Sequence, residues 1–198
     1  MKDLMPDMIE GFSQVEYLLI FNAIVFGAIA SEYFSGWGAM LRNRNSIIFS
    51  PLQFIWSVFA FLLMIHNWFG NWPRAKYIND GAVFFYFSII PMLIFYLISV
   101  VLFPKIESDK TINFKRHYTF NARILFILFG IYLLFTIVGS YVYLDKDKGD
   151  VLGQNIIRGI GILFCVLSAI FSHKYWIHYI FLSLNFIGLL IFISRIPH

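Results

Sequence analysis

The segment AVFFYFSIIPMLIFYLISVVLF, residues 82–103, runs for 22 residues without a charged side chain. An α-helix rises about 1.5 Å per residue, so this segment would cover about 33 Å, close to the ~30 Å hydrocarbon core of a membrane. Pro91, near its middle, removes one backbone donor, and we expect the helix to kink there. The segment therefore predicts a membrane-spanning helix.

Five further apolar runs flank this segment, at residues 16–40, 47–69, 120–144, 151–172 and 175–194. Of the 198 residues, 60% are hydrophobic and only 13% are charged, and the mean hydropathy is +0.75. Soluble domains carry about 25% charged residues, so the composition excludes an ordinary soluble fold. We expect an all-α, polytopic integral membrane protein with about six transmembrane helices in one bundle, forming a single transmembrane domain over residues 1–198.

The run at residues 151–172 is the least certain of the six, because Arg158 lies in its first part. If that run did not cross, five spans would remain and the termini would lie on opposite sides of the membrane. Cys165 also lies in this run and is the single cysteine of the chain. We interpret it as a small packing residue, and a lone cysteine excludes a disulfide scaffold.

The charges between the runs predict the orientation in the membrane. Basic residues dominate the first, third and fifth links, which would share one side: Arg42, Arg44, Lys105, Lys110, Lys115, Arg116 and Lys174. The positive-inside rule places these links in the cytoplasm and both termini outside. We attribute the net charge of +4 to topology and to contact with membrane lipid, and expect no nucleic-acid partner. A bacterial cytoplasmic membrane is the expected location, and residues 1–14 lack the pattern of a secretory signal.

The first run carries small side chains at an unbroken spacing of four: Ala23, Gly27, Ser31, Ser35 and Ala39. Residues four apart lie on one face of a helix, so these five form a continuous strip, which we call the small-residue strip. Small residues allow another helix to approach closely within lipid. The strip predicts either packing against the chain's own helices or an interface with a second copy or another membrane protein.

Polar residues in three other runs also fall on single helix faces. The candidates for a polar interior are Gln53 and Ser57 in the second run, Arg158 and Ser168 in the fifth, and His178 and Asn185 in the sixth. Such residues often join helices by hydrogen bonds of about 0.6 kcal/mol each. The alternative is a cavity that holds water or a solute.

Glu32 is the best functional candidate that the sequence offers. It lies about ten residues, or roughly 15 Å, from Arg42 along the first run, which puts it near the middle of the membrane. An acid there costs about 2.5 kcal/mol or more, so we expect it to face the bundle interior, to find a partner or to be protonated. Arg158 lies closer to a surface, and we expect its side chain to extend towards that surface.

The histidines do not form a recognisable metal motif. His173 and His178 are five residues apart, on diverging faces of a helix, whereas metal-binding pairs are four apart. We find no nucleophile–base signature and no phosphate-binding glycine loop, so we expect no enzyme activity, bound metal or cofactor.

Three functions therefore stay open at this point. The leading hypothesis is a channel or carrier for a small solute or ion, with Glu32 as its internal acid. The second is a non-catalytic membrane subunit or scaffold that packs through the small-residue strip. The third is a histidine-ligated membrane redox protein.

Overall fold

Helices make up most of the structure, a computed structural model that describes residues 14–75, 81–104, 112–142 and 151–193. The elements in chain order are α1 (Gln14–Arg42), β1 (Ile47–Ile48), α2 (Pro51–Ala75), α3 (Gly81–Leu102), β2 (Ile112–Asn113), α4 (Phe114–Val142), α5 (Val151–Ile170) and α6 (Tyr175–Ile193). The helical bundle expected from the composition is confirmed for these residues, apart from the two short strands.

Helices α1 to α5 are each long and apolar enough to cross a membrane, judged by length and composition. This includes α5, which Arg158 made the least certain in sequence. The apolar part of α6 with described side chains, Tyr175–Leu189, is shorter than such a span. The structure thus supports a multi-pass membrane protein with five spans, and crossing by α6 stays a prediction.

Helix α3 lies in the middle of the bundle and contacts α1, α2 and α4. Helix α5 packs mainly on α4, and α6 packs on α2 and α5. Pro91 lies inside α3 and is buried. The central position of α3 fits its sequence, because α3 and α4 have the highest mean hydropathy of the five candidate spans.

The strands β1 and β2 pair in parallel, with Ile47 opposite Ile112 and Ile48 opposite Asn113. The backbone N–H of Ile112 also donates to the carbonyl of Ser46, at 3.1 Å. The sequence did not predict this pairing, since each strand has only two residues. It brings the α1–α2 link and the α3–α4 link together at one end of the bundle, which we call the paired end.

A proline and a capping asparagine mark where two helices begin. Pro51 is the first residue of α2, a position that needs no backbone donor. At the start of α4 the Asn113 side-chain oxygen accepts the backbone N–H of Arg116 at 2.9 Å, which caps the helix. Because of this cap α4 begins at Phe114, six residues before the apolar run at 120–144.

The core of the bundle is aromatic and centres on Trp56, which is fully buried. Four rings surround its indole with centroids 5.1 to 5.8 Å away: Phe59, Phe126, Phe129 and Phe181. They come from α2, α4 and α6, so this cluster joins the second half of the chain to the first. Aromatic pairs of this kind stabilise by about 0.5–1.5 kcal/mol beyond the area they bury.

Candidate functional site

A buried pair of titratable side chains lies near the paired end of the bundle. His178, in the first turn of α6, and Tyr118, in the second turn of α4, are both buried. The Tyr118 hydroxyl lies 2.8 Å from Nδ1 of His178. Buried polar groups require such partners, because an unmade hydrogen bond in an apolar interior is costly.

Two further residues complete what we call the Tyr118–His178 cluster. His178 also lies near the backbone of Ser168 in α5, and its Nε2 atom has no hydrogen-bond partner among the described residues. The Trp56 indole lies beside the Tyr118 hydroxyl, without full hydrogen-bond geometry. The hydroxyl of Ser168 is buried and has no partner within the described part of the chain. Four helices thus contribute to one polar cluster.

Aromatic rings close this cluster on its other sides. Phe126 packs on the imidazole of His178 with ring centroids 4.6 Å apart, and Tyr175 lies 6.3 Å away. A phenol and an imidazole in hydrogen-bond contact can pass a proton between them, and the proton then stays within the protein. Packing by these rings shields the hydrogen-bonded pair from lipid.

Gln53 and Ser57, two of the predicted interior residues, are buried and join neighbouring helices. Gln53 Nε2 donates to the carbonyl of Leu102, at the last turn of α3. His117 in α4 contacts the carbonyl of Val101 there through Nε2, at 3.0 Å. The last carbonyls of a helix lack partners within it, so these two side chains cap α3. Ser57 accepts the indole N–H of Trp37, from α1, at 2.8 Å.

The other predicted interior residues differ in their surroundings. Ser168 and His178 are buried in the cluster described above. The amide of Asn185 donates to the carbonyl of Phe181 one turn earlier, at 2.8 Å. Arg158 is half-buried and donates to Asn155 at 2.8 Å. The structure thus brings Ser168 and His178 together but keeps Asn185 and Arg158 apart from them.

Glu32 is exposed on the outside of the bundle. The prediction that it faces the bundle interior is therefore wrong. The reason is the inward face of α1, where Ile29 and Tyr33 are buried. The Tyr33 hydroxyl donates to the carbonyl of Phe95 in α3 at 3.2 Å, and this face turns Glu32 outwards.

The small-residue strip lies on the same outer side of α1. Ala23, Gly27, Ser31 and Ser35 are exposed and Ala39 is half-buried. Nothing lies within 4 Å of where a Cβ on Gly27 would be. Of the two alternatives for the strip, packing within the chain is not seen for its first four residues, because Tyr33 and its neighbours supply the inward face.

Buried polar amides also occur towards the other end of the bundle. Asn22 in α1 is buried and neither of its amide atoms has a partner among the described residues. Phe59 and Met64 of α2, both buried, lie between this residue and the Tyr118–His178 cluster. The polar interior is therefore divided by an apolar, aromatic middle.

The described residues contain no group of three histidine, cysteine or acidic side chains that could hold a metal ion. His117 is occupied by the end of α3 and by the amide of Asn121, 3.2 Å from its ring nitrogens. His178 is occupied by Tyr118. The hypothesis of a histidine-ligated redox centre gains no support from this arrangement.

Sequence reasoning missed Tyr118 and Trp56 as parts of the site. Tyr118 reads in sequence as an aromatic residue at the membrane surface, a common position for tyrosine. The signal that could have identified it is helical periodicity: the buried residues of α4 include Phe114, Tyr118, Ala122, Leu125 and Phe129. This spacing of three and four places Tyr118 on the inward face.

Comparison of the chain with protein-family models, with curated proteins and with solved structures finds no match in any of the three.

Proposed function

We propose that this chain is a non-catalytic membrane subunit that assembles with a second copy of itself through the outer face of α1. The observation that supports this is the exposed Glu32, which shares that face with the small-residue strip. A carboxyl group near the middle of a membrane is too costly to leave in contact with lipid. It requires a polar partner from outside the described chain, and a second copy supplies one.

The outer face of α5 provides a comparison within the same molecule. Most of its exposed residues are large and aliphatic, beside the exposed Gln154 and Gly159: Leu152, Ile156, Ile157, Ile160, Leu163, Val166 and Ile170. Such a surface suits lipid, which is as apolar as leucine. The middle of the α1 face, with Gly27, Ser31 and Glu32, suits a protein neighbour instead.

A second copy fits this face by close packing and by hydrogen bonding. Gly27 has open space beside it, so another helix can approach the backbone there. The exposed hydroxyls of Ser31 and Ser35 are donors that can reach the Glu32 carboxyl of the other copy. In a two-fold arrangement the same contact forms twice, which is typical of homodimers.

The proposal includes an orientation. The paired end carries Arg42, Arg44 and Lys174, all exposed, and the positive-inside rule favours the cytoplasm for it. Both termini would then lie outside a bacterial inner membrane, provided that α6 crosses. The subunit would present the small-residue strip within the membrane, away from either surface.

Cysteine cross-linking in native membranes tests the proposed interface. In a Cys165→Ala background, Ser31→Cys should form a disulfide-linked dimer on mild oxidation. Leu163→Cys, exposed on α5, is the matched control and should stay monomeric. Adding Gly27→Leu to the Ser31→Cys chain should reduce the dimer band at least severalfold, because the leucine fills the space needed by the second helix.

Two results would contradict the proposal. One is equal cross-linking at Ser31 and Leu163, which indicates random collisions. The other is the absence of a dimer linked through Ser31. It would be seen either as uncross-linked monomer in both variants or as capture of a different protein at Ser31 in place of a second copy.

Transport of a small ion is the second candidate, and the Tyr118–His178 cluster favours it. A buried phenol–imidazole pair can relay protons, although the aromatic middle around Trp56 would have to open to complete a path. Proteoliposomes with a trapped pH-sensitive dye and an imposed potential test it. Proton flux that is present in the native chain and lost in Tyr118→Phe would support transport, and no flux above empty liposomes would exclude a proton path.

A further inference from the structure

Helix α4 consists of two chemically different parts. Residues 114–123 contain Lys115, Arg116 and Arg123, whereas residues 124–142 contain no charged side chain. The second part has 19 residues and covers about 28 Å, close to the thickness of the hydrocarbon core. When that part fills the core, the first three turns of α4 lie in the headgroup layer.

One face of these three turns is exposed and cationic. Arg116, Phe120 and Arg123 follow one another at intervals of four and three, so they lie on the same face. All three are exposed, and Phe120 is the most exposed of the large hydrophobic residues at 83%. Two guanidinium groups thus flank an aromatic ring at the level where lipid headgroups meet their acyl chains.

A groove lies beside this face. It has a volume of about 540 Å³ and is lined by Asn113, Arg116, His117, Thr119 and Phe120. Its size suits a lipid headgroup. The lining combines a cation, three neutral polar side chains and an apolar ring, which is the mixture that a phosphate ester with an attached glycerol requires.

The helix around the groove is fixed by its own hydrogen bonds. Asn113 caps the backbone N–H of Arg116, and His117 is bound to the end of α3. Thr119 donates to the carbonyl of Lys115 at 2.8 Å, in the same turn. The guanidinium groups are therefore carried on an ordered backbone, so binding need not order the helix first.

No described carboxylate competes for these arginines. The only acidic residues in the described part of the chain are Glu16, in the first turn of α1, and Glu32, near the middle of that helix. Lys115 adds a further positive charge beside the groove, with its ammonium 5.5 Å from the ring of Tyr175. The described part of this face is therefore positive and suits an anion, and in sequence residues 104–118 carry four basic side chains against Glu107 and Asp109.

We propose that the face formed by Arg116, Phe120 and Arg123, with the adjacent groove, binds the phosphate of an anionic glycerophospholipid. The guanidinium groups bind the phosphate by charge-assisted hydrogen bonds, and Phe120 contacts the glycerol and upper acyl chain. The proposed site consists of the Arg116 and Arg123 side chains and the groove. It does not use the backbone N–H groups at the start of α4, because Asn113 already caps that end. It is independent of the α1 interface.

Lipid titration of the purified chain in neutral detergent tests this site. Phosphatidylglycerol should bind more tightly than phosphatidylcholine, as counted by native mass spectrometry. The double variant Arg116→Gln/Arg123→Gln should bind phosphatidylglycerol roughly 30-fold more weakly, the effect expected for two basic residues at a membrane surface. Arg42→Gln/Arg44→Gln removes the same charge from exposed positions at the same end and should bind as the native chain does.

Further measurements distinguish lipid binding at this site from binding of free phosphate and from a general effect of surface charge. Inorganic phosphate should not displace the lipid; if it does so at equal concentration, the site is one for free phosphate and the proposal is wrong. Equal losses in the two double variants would also overturn it, because the effect would then be general surface charge. Arg123→Gln alone serves if the double variant does not fold, and it should lose about half of the binding free energy difference.

Discussion

At the scale of single residues, the hydrogen bond between Tyr118 and His178 allows two polar side chains to be buried in an aromatic core. Each side chain is buried, and each supplies the other's partner. A buried polar group without a partner costs about 1–3 kcal/mol, so the two residues depend on one another. Cys165, the single cysteine and also buried, is a convenient reporter of unfolding because a thiol dye reaches it only when the bundle opens.

Tyr118→Phe should destabilise the bundle. The change removes the hydroxyl and leaves Nδ1 of His178 without a partner, at an expected cost of about 1–3 kcal/mol. A lower midpoint of thermal unfolding, followed by dye labelling of Cys165, is the measurement. Tyr141→Phe, at an exposed tyrosine of the same helix, is the control and should leave the midpoint unchanged. Equal midpoints for both variants would contradict the assigned role of Tyr118.

Single residues were predicted from the sequence with mixed success. His178 and Ser168 were candidates for a polar interior, and both side chains are buried. Glu32 is exposed. The energetic argument for its carboxyl allowed an interior position, a partner or protonation, and energy alone does not say whether a partner belongs to the same chain.

At the scale of helices, one face of α1 packs against the chain's own elements and another face is exposed. The surroundings of two glycines show the difference. A Cβ on Gly36 would overlap the ring of Phe103, which follows α3, whereas a Cβ on Gly27 would meet nothing within 4 Å. Gly36 thus lets α1 approach the end of α3, and Gly27 leaves space on the outer side. The same residue type serves internal packing at one position and an open surface at the other.

Gly36→Ala should therefore destabilise the chain while Gly27→Ala should not. The added methyl at residue 36 forces Phe103 to move, and overpacking of this kind costs about 1–3 kcal/mol. At residue 27 alanine meets open space and has the better helix propensity. The thermal midpoints of the two variants, measured side by side in detergent, check this. A larger loss at residue 27 would mean that the faces of α1 are assigned wrongly.

The existence of the helices was predictable, but some of their ends were not. Apolar length located α1, α3 and α5 to within two residues, whereas α2 begins four residues and ends six residues later than the run at 47–69, whose first two residues form β1. The start of α4 differs because the cap at Asn113 extends the helix through its basic first turns. The pairing of β1 with β2 has no sequence signal, since two residues are too few for a pattern and their contact is set by packing elsewhere.

At the scale of the whole molecule, the paired end groups links that are far apart in sequence. Its exposed basic residues include Arg44 after α1 and Lys174 before α6. Tyr141, in the last turn of α4, is exposed at the opposite end. If the positive-inside rule holds, these two ends lie on opposite sides of the membrane.

Labelling of single cysteines in cells should report this orientation. In a Cys165→Ala background, a membrane-impermeant maleimide should label Tyr141→Cys in intact cells. Arg44→Cys and Lys174→Cys should label only after the membrane is opened. Labelling of Arg44→Cys and Lys174→Cys from opposite sides would contradict the grouping of the links, and labelling of both from outside would reverse the orientation.

The arrangement of the helices around α3 could not be derived from the sequence. The composition predicts the number and length of apolar helices, but most of their faces are apolar enough to meet either lipid or protein. Which faces meet depends on ring shapes, as in the cluster around Trp56, and on contacts such as that of Gln53 with the end of α3. Such contacts depend on how the side chains pack against one another in three dimensions.

The pairing of β1 with β2 has a consequence for biosynthesis. The two strands precede α2 and α4, so they can meet only if they are on the same side of the membrane. That condition is met when α2 and α3 both cross during insertion, and it fails when only one of them does. A nascent chain in which one of them stayed behind would separate Ile47 from Ile112 by the thickness of the bilayer. The contact therefore favours chains in which both helices have crossed over chains in which only one has crossed.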